Sequence, residues 1–418
     1  MTQRYETYKD SGVQWLGEIP GHWEATRLKN VMKLLNGRAY LQPELQESGK
    51  YRILRVGNFF TNDKWYYSDM ELESQKYCEN GDLLFAWSAS FGPYIWNDEK
   101  VIYHYHIWKV ILKSLYDKRF AYYMFLAFAD VKKRDVHGST MVHLTLQDMN
   151  QSSIPLPPLP EQHSIVTYLD SKCSKIDEWI NKKQKEVELL GEAKQRIIAD
   201  AVTRGLNPNV KMKKTGIVWL EEVPEHWELK PIRSLMKESE EKTETGDEEL
   251  LSLSQYTGIT RKKDANKTGM FEAESTIGYK KVHPGQFVMN IMLAWNGSYA
   301  VSALEGIISP AYCVFDFICD CDKLYYDFLL RTKMYSSAFK TESRGIIDSR
   351  LRLYPYKFYP FYIPVPPLSE QQAIVSHITT KTTKIDSLMS AMNKEIEHLK
   401  EYKQRLISDV VTGQIKVC

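Results

Sequence analysis

Residues 154–207 and 363–416 of this 418-residue chain align without a gap and are identical at 25 of 54 positions. IPLPPLPEQ pairs with IPVPPLSEQ, and EAKQRIIADAVT with EYKQRLISDVVT. A shorter repeat sets SGVQWLGEIPGHWEATRLKNVM, residues 11–32, against TGIVWLEEVPEHWELKPIRSLM, residues 215–236. The order is thus short motif, variable block, long motif, used twice, and a repeat of this length dictates architecture ahead of local propensity. The blocks between, 33–153 and 237–362, have similar lengths but align poorly. A duplicated unit accounts for this if the long motifs do a common job and the blocks do individual ones.

Each long motif opens on prolines, Pro155, Pro157, Pro158 and Pro160 or Pro364, Pro366 and Pro367, which forbid helix before them and permit it just after. Glu161 and Glu370 follow where a first-turn carboxylate favours the helix dipole. Leu169, Cys173, Ile176, Ile180, Val187, Leu190, Ile197 and Ala201 then recur at spacings of three and four, with Lys183 and Lys194 interrupting. Ile378, Thr382, Ile385, Met389, Met392, Ile396, Leu399, Lys403, Leu406 and Val410 do so in the second copy. Both read as heptad seams. A helix of about 40 residues spans ~60 Å, and its single apolar stripe must be buried; the other copy is the natural partner, and a pseudo-two-fold relation favours antiparallel pairing. Lys194 and Lys403 share a seam position, where they either fix register or snorkel from the edge. The expected fold is α+β: two α/β globular domains separated by a long antiparallel two-helix coiled coil. The boundaries are 1–153, 154–207, 208–362 and 363–418. Because the first long motif runs within ten residues into the second short motif, the chain termini are expected to lie close together.

With 55 Lys plus Arg against 53 Asp plus Glu, the formal charge of +2 excludes both a uniformly basic coat protein and an acidic solvating chain. No apolar run approaches the roughly 20 residues that cross a bilayer, and the segment Met1 to Asp10 is polar, so a cytoplasmic chain without membrane contact is expected. Cys78, Cys173, Cys313, Cys319, Cys321 and Cys418 show no CxxC spacing and read as reduced thiols.

Gly12, Trp15, Leu16, Ile19, Pro20, His22 and Trp23, the IPLPPLPEQ start of a long helix, and the twofold use of both around unlike blocks resemble the specificity subunit of a type I restriction-modification system. The likeness in organisation covers nearly the whole chain; likeness of residues is confined to the repeats. It implies that each block is a target recognition domain reading one half of a split sequence in double-stranded DNA. It implies further that the paired helices are a spacer and a docking surface for two methyltransferase subunits, joined by restriction subunits, and that this chain has neither a catalytic site nor a cofactor.

Base reading needs polar side chains that reach groove edges, and phosphate contact needs cations. In the first block, Lys132, Lys133 and Arg134 end an apparent helix, and His137, Ser139 and Thr140 follow in an HGST turn. Cations at a helix end, such as Lys132, Lys133 and Arg134, are also ordinary dipole partners; in the second block, Lys340, Arg344, Arg350 and Arg352 stand just ahead of the proline-rich segment. Arg261, Lys262 and Lys263 form a further candidate. Each block holds a Trp-polar-small segment after a glycine turn and an apolar strand: Trp87, Ser88, Ser90 and Tyr94, and Trp295 with Asn296, Ser298 and Tyr299. For the two tryptophans, core burial is the favoured expectation.

Enzymatic alternatives lack their residues. No GxGxxG or P-loop occurs, and Asn207-Pro208-Asn209 lacks the aromatic step of an amino-methyltransferase loop. Glu192-Ala193-Lys194 and Glu401-Tyr402-Lys403 spell the Glu-x-Lys of some nucleases but fall on the coiled coil. His104 and His106 alternate along an expected strand, Ile102 to Leu112, without a third metal ligand. The rival to a DNA-recognition subunit is therefore a coiled-coil scaffold or a stand-alone nuclease.

Overall fold

The computed structural model describes residues 4–60, 62–88, 92–135, 144–264, 275–345 and 351–417. It divides into two compact units, residues 1–184 with 393–418, and residues 185–392.

In the first unit, an antiparallel sheet takes the spatial order Met32–Asn36, Ile107–Leu112, Leu83–Ala86, Gly92–Ile95. The helix Lys118–Asp135 covers one face, its Phe125 ring 5.0 Å from Phe85 on the sheet. A second sheet runs Tyr66–Ser68, Tyr51–Leu54, Val101–Tyr103, Tyr77–Cys78, with a parallel pair at its centre. The strand expected from Ile102 to Leu112 breaks in two: the backbone turns at Tyr105 and His106, so the two histidines sit on a connection between sheets.

The second unit repeats this order with different residues. Its antiparallel sheet runs Met236–Glu238, Tyr312–Phe317, Phe287–Asn290, Tyr299–Val301. Leu251–Ser254 pairs with Gly258–Arg261, Lys280–Val282 pairs with Gly306–Ile308, and a parallel bridge from Leu250 to Ile307 joins them as the second sheet of the first unit is joined. Two helices, Lys323–Leu330 and Lys333–Glu342, take the place of the single one. Gly81 and Gly285 each lead into the buried strand that follows, with φ of +88° and +89°, a left-handed turn that a side chain would strain. Two blocks that align poorly in sequence thus share one topology.

The long motifs form the helices Leu159–Arg204 and Leu368–Val411. In the first unit their segments run antiparallel: Lys403 Nζ donates to both Asp177 oxygens at 2.7 and 2.6 Å, and Lys183 pairs with Glu395 at 2.9 Å. In the second unit, Lys194 donates to both Asp386 oxygens at 2.7 Å. Asp177 and Asp386 are equivalent positions of the repeat, as are the two lysines. The lysines therefore reach across to a carboxylate, which favours the register reading over snorkelling. Leu169, Ile180, Ile378, Ile396 and Leu406 are buried, while Ile176, Val187, Leu190, Ile385, Met389 and Leu399 are half-buried. The heptad frame slips at one expected position: Ile198, rather than Ile197, is buried. Ile165, Ile176, Val187 and Ile198 step by eleven residues, three turns of about 3.67 residues each in place of the 3.5-residue repeat of a left-handed supercoil.

The short motif explains why the two repeats travel together. Glu24–Arg27 pairs with Ser153–Leu156, and Glu228–Pro231 with Tyr362–Val365. Glu161, in the first helical turn, accepts bonds from Trp23 Nε1 at 2.9 Å, Tyr5 Oη at 3.2 Å and His22 Nε2 at 2.5 Å. Glu370 accepts them from Trp227 at 3.0 Å and His226 at 2.8 Å. Next to each, a buried Gln162 or Gln371 caps the loop before a domain helix, accepting from the amide of Asp117 or Asp322. Helix ends close the block cores: Leu406, Ile407, Val410 and Val411 in the first unit, Ile198, Ala201 and Val202 in the second. The expected meeting of the chain ends is present, since Tyr8 Oη donates to the Gly413 carbonyl at 2.9 Å and Gln414 Nε2 to that of Glu18 at 2.6 Å.

Candidate nucleic-acid interface

In the second unit the strands Phe287–Asn290 and Tyr299–Val301 form a hairpin whose connection carries Trp295 on a single helical turn, Ala294–Asn296, ended by Gly297 at φ +92°. The helix Lys333–Glu342 ends beside it, and Lys340 Nζ stands 5.1 Å from the Trp295 ring centre. The chain then reaches Arg344, whose backbone N–H and C=O pair with those of Arg352 at 3.0 Å each, and Leu353 N–H donates to the Ile291 carbonyl at 3.0 Å. The Arg344 guanidinium lies 6.0 Å from the ring of Tyr356, itself stacked on Tyr354 and 56% exposed. Lys340, Arg344 and Arg352 are exposed. Two stretches identified separately in the sequence, the Trp-Asn-Gly-Ser segment and the basic segment, are one surface. Cations set among flat, partly exposed rings offer phosphate contact and stacking together.

Two expected members do not belong to that surface. Tyr299 is fully buried with its hydroxyl donating to the Leu330 carbonyl at 2.9 Å, and Ser298 is 3% exposed with its hydroxyl bonded to Asn296. Tyr299 enters the hydrophobic core of the unit, and Ser298, the residue before the strand, is held within the turn by Asn296. Asn296 stays half-buried at the tip. Arg261, Lys262 and Lys263 lie at the end of Gly258–Arg261 on the other sheet, with Lys263 paired to Glu249 at 2.9 Å.

In the first unit Trp87 occupies the topological position of Trp295, just after Leu83–Ala86 in the equivalent hairpin. It is half-buried: its indole N–H donates to the Tyr105 carbonyl at 2.8 Å, and its ring stacks on Trp108 at 5.6 Å. Ser88 is half-buried beside it. His106 and Tyr105 approach the same indole at 5.0 and 6.0 Å. His104 extends the cluster to Tyr40, stacked at 6.2 Å, over which lies Arg38 at 5.2 Å. Burial, with help from His106 and Arg55, pushes the His104 pKa down to about 4. A neutral imidazole carries one donor and one acceptor, which suits a base edge better than a phosphate.

Sequence reasoning considered His104 and His106 only as metal ligands and passed over Tyr105, Tyr40 and Arg38. The signal was the exposed tyrosine between two histidines, unreadable until the strand was seen to break there. Among the described residues no group of three possible metal ligands occurs. Tyr94 packs into the second-sheet core, its ring 4.6 Å from Phe59, so it is not a surface residue of the hairpin tip. Lys132 lies over Phe128 at 5.7 Å, beside the short-motif Trp15, and Lys133 is exposed. Ser90, His137, Ser139, Thr140 and Arg350, and the side chain of Arg134, lie outside the described residues.

Residues 20–189 match the family model described as the type I restriction modification DNA specificity domain. The chain is 26% identical to the type I restriction enzyme MjaVIII specificity subunit of Methanocaldococcus jannaschii, over 96% of this chain and 94% of that protein. It is 20% identical to the type I restriction enzyme EcoBI specificity subunit of Escherichia coli, over 97% and 89%. Among solved structures, a chain from a study of complex assembly and conformational transition of the type I R-M system superposes with a TM-score of 0.64. That match is 15% identical, covers 94% of this chain and 98% of the other, and concerns the fold. Among the described residues no helix is long and apolar enough to cross a membrane.

Proposed function

We propose that the chain, which matches the type I restriction modification DNA specificity domain over residues 20–189 and is 26% and 20% identical to two type I specificity subunits over nearly its whole length, is itself such a specificity subunit, which recognises a bipartite DNA target and directs methylation and cleavage carried out by partner subunits. The observation that carries this reading is one fold used twice with unlike surfaces at the same hairpin tip. One unit offers Trp295, Lys340, Arg344, Arg352 and Tyr356; the other offers Trp87, Tyr105 and the neutral His104. A scaffold common to both halves with dissimilar contact residues supports two different half-sites, and half-site spacing then follows from protein geometry. Two equivalent repeats suit two copies of one methyltransferase subunit, and restriction subunits join that assembly. The chain itself supplies recognition, not chemistry.

The test is methylation mapping. A host carrying this chain and its methyltransferase partner should show methyl marks at one bipartite sequence by long-read sequencing, and exchange of residues 33–153 for another member's block should change one half of that sequence only. Marks scattered without a motif, from an active partner, would overturn the proposal.

A further inference from the structure

The hairpin tip of the second unit, residues 291–297, reads IMLAWNG, an unusual filling for a turn, where Gly, Asn, Asp, Ser and Pro ordinarily supply the bend. Its first four residues do not share one fate. Ile291 packs against the core and Ala294 is fully buried, whereas Met292 and Leu293 between them are 41% and 38% exposed. The turn that holds them out is fixed by hydrogen bonds. The buried Asn290 accepts from Met292 N–H through its side-chain oxygen at 3.0 Å and from Leu293 N–H through its carbonyl at 3.1 Å. The Leu293 carbonyl accepts from the amides of Asn296 and Ser298 at 3.1 and 3.2 Å, and the Met292 carbonyl from the Trp295 indole at 3.1 Å.

One exposed apolar side chain needs no explanation. Here two adjacent ones stand on a fixed tip with cations near them. Arg352 precedes Leu353, whose N–H binds the Ile291 carbonyl beside Met292, and Arg344 is paired to Arg352 through the backbone. Lys340 lies over the Trp295 ring. Folding draws nothing from apolar groups left in water, and a purely electrostatic phosphate contact does not need them. The combination fits duplex DNA that is touched at its bases as well as at its phosphates. Cations hold the backbone, while Met and Leu are among the side chains that enter between base pairs and partly unstack them.

We propose that Met292 and Leu293 form a wedge that enters one base step of the half-site read by this unit and unstacks it. This rests on the reading above, under which the unit contacts one half of a bipartite target. Insertion lets the block read a step by how readily it deforms, without a hydrogen bond to a base edge. Pyrimidine–purine steps unstack most readily, so one of these is expected under the tip. Because the turn is already fixed in the chain alone, little conformational entropy is lost on insertion.

The probe is a duplex carrying the sequence that methylation mapping returns, bound by the full chain with its methyltransferase partner. In the half that stays unchanged when residues 33–153 are exchanged, 2-aminopurine replaces purines one at a time, except at the methylated base, which methyltransferases extrude on their own account. Its fluorescence rises when a base unstacks. At saturating complex the wild type gives that rise at one step; Met292→Ser with Leu293→Ser loses it, and Met292→Leu with Leu293→Met keeps it. Arg344→Ala, by contrast, lowers the salt slope of binding by ~0.9 and keeps the rise once the complex is saturated. Circular dichroism checks folding, and Leu293→Ala alone replaces the serine variant if that misfolds, with the same direction expected. A full rise in the serine variant, or a wild type that unstacks no base in that half, would overturn the wedge; if the serine variant then also fails to bind the methyltransferase, the tip is a protein contact instead. A mapping that returns no sequence would overturn the functional reading on which the wedge rests.

Discussion

Glu161 shows how much one residue does in this fold. Burial would raise its carboxyl, but the bonds from Trp23, His22 and Tyr5 outweigh that and hold it below its ordinary value of 4.5. A carboxylate whose folded pKa is depressed stabilises the fold above its unfolded pKa, and that contribution is lost as pH falls through the folded value. The unfolding free energy of the wild type should therefore decline between about pH 5 and pH 3, and Glu161→Gln should decline less over that window. Glu161→Ala at neutral pH strands the fully buried Trp23 indole N–H, at a cost of about 1–3 kcal/mol. Chemical denaturation at several pH values checks both; identical pH profiles for wild type and Glu161→Gln would remove the carboxylate from the account. The sequence showed Trp23, His22 and Glu161 as repeated residues and assigned the glutamate to the helix dipole. It could not show that they meet, because 138 residues separate Trp23 from Glu161 and nothing local encodes the contact.

Elements were legible in proportion to their periodicity. The long helices announce themselves by seam spacing and proline punctuation, and their antiparallel pairing followed from the repeat. The shared sheet order of the two blocks was hidden, since LLFA and FVMN fill the same buried strand with no position identical. The joined surface of Trp295 and Lys340 was hidden for a different reason: a cation and a ring 45 positions apart meet only once hairpin and helix are packed. Both elements yield predictions. On the helices, Lys403→Asp should weaken the fold by placing two acids at the seam, and adding Asp177→Lys should restore most of the loss. The pair is partly exposed, so the recovered coupling should be about 0.5–1 kcal/mol; thermal melts of the single and double variants measure it, and no recovery would mean that the pair does not set register. On the second block, Arg344→Ala and Arg352→Ala should weaken DNA binding at all sequences, each lost phosphate contact reducing the salt slope by ~0.9. Titrations of the assembled complex at several salt concentrations read this directly, and an unchanged slope in both variants would move the phosphate contacts elsewhere.

At the scale of the whole molecule the repeat order is cyclic, with the end of each long helix meeting the start of a short motif. The helix Leu159–Arg204 passes through residues 205–211 into the strand Met212–Ile217, and at the equivalent place the end of the other long helix, near Gly413, meets the segment at Tyr8. This meeting is held by side chains, through the Tyr8 bond to Gly413, the Gln414 bond to Glu18 and Lys416 lying 5.9 Å from the Tyr5 ring. Joining Cys418 to Met1 would bridge the junction with residues 414–418 and 1–7, a longer connection than residues 205–211 provide at the equivalent place. New ends between Leu206 and Asn209, which are exposed, would break no buried backbone bond, and exposed loops of this kind are where permutation is tolerated. The permuted chain is expected to melt within a few degrees of the wild type and, with its partner, to methylate the same bipartite sequence. Loss of folding in the permuted chain, with the new junction intact by mass, would show that the junction at Gly413 and Tyr8 is not equivalent to its counterpart and that the repeat is not a closed cycle.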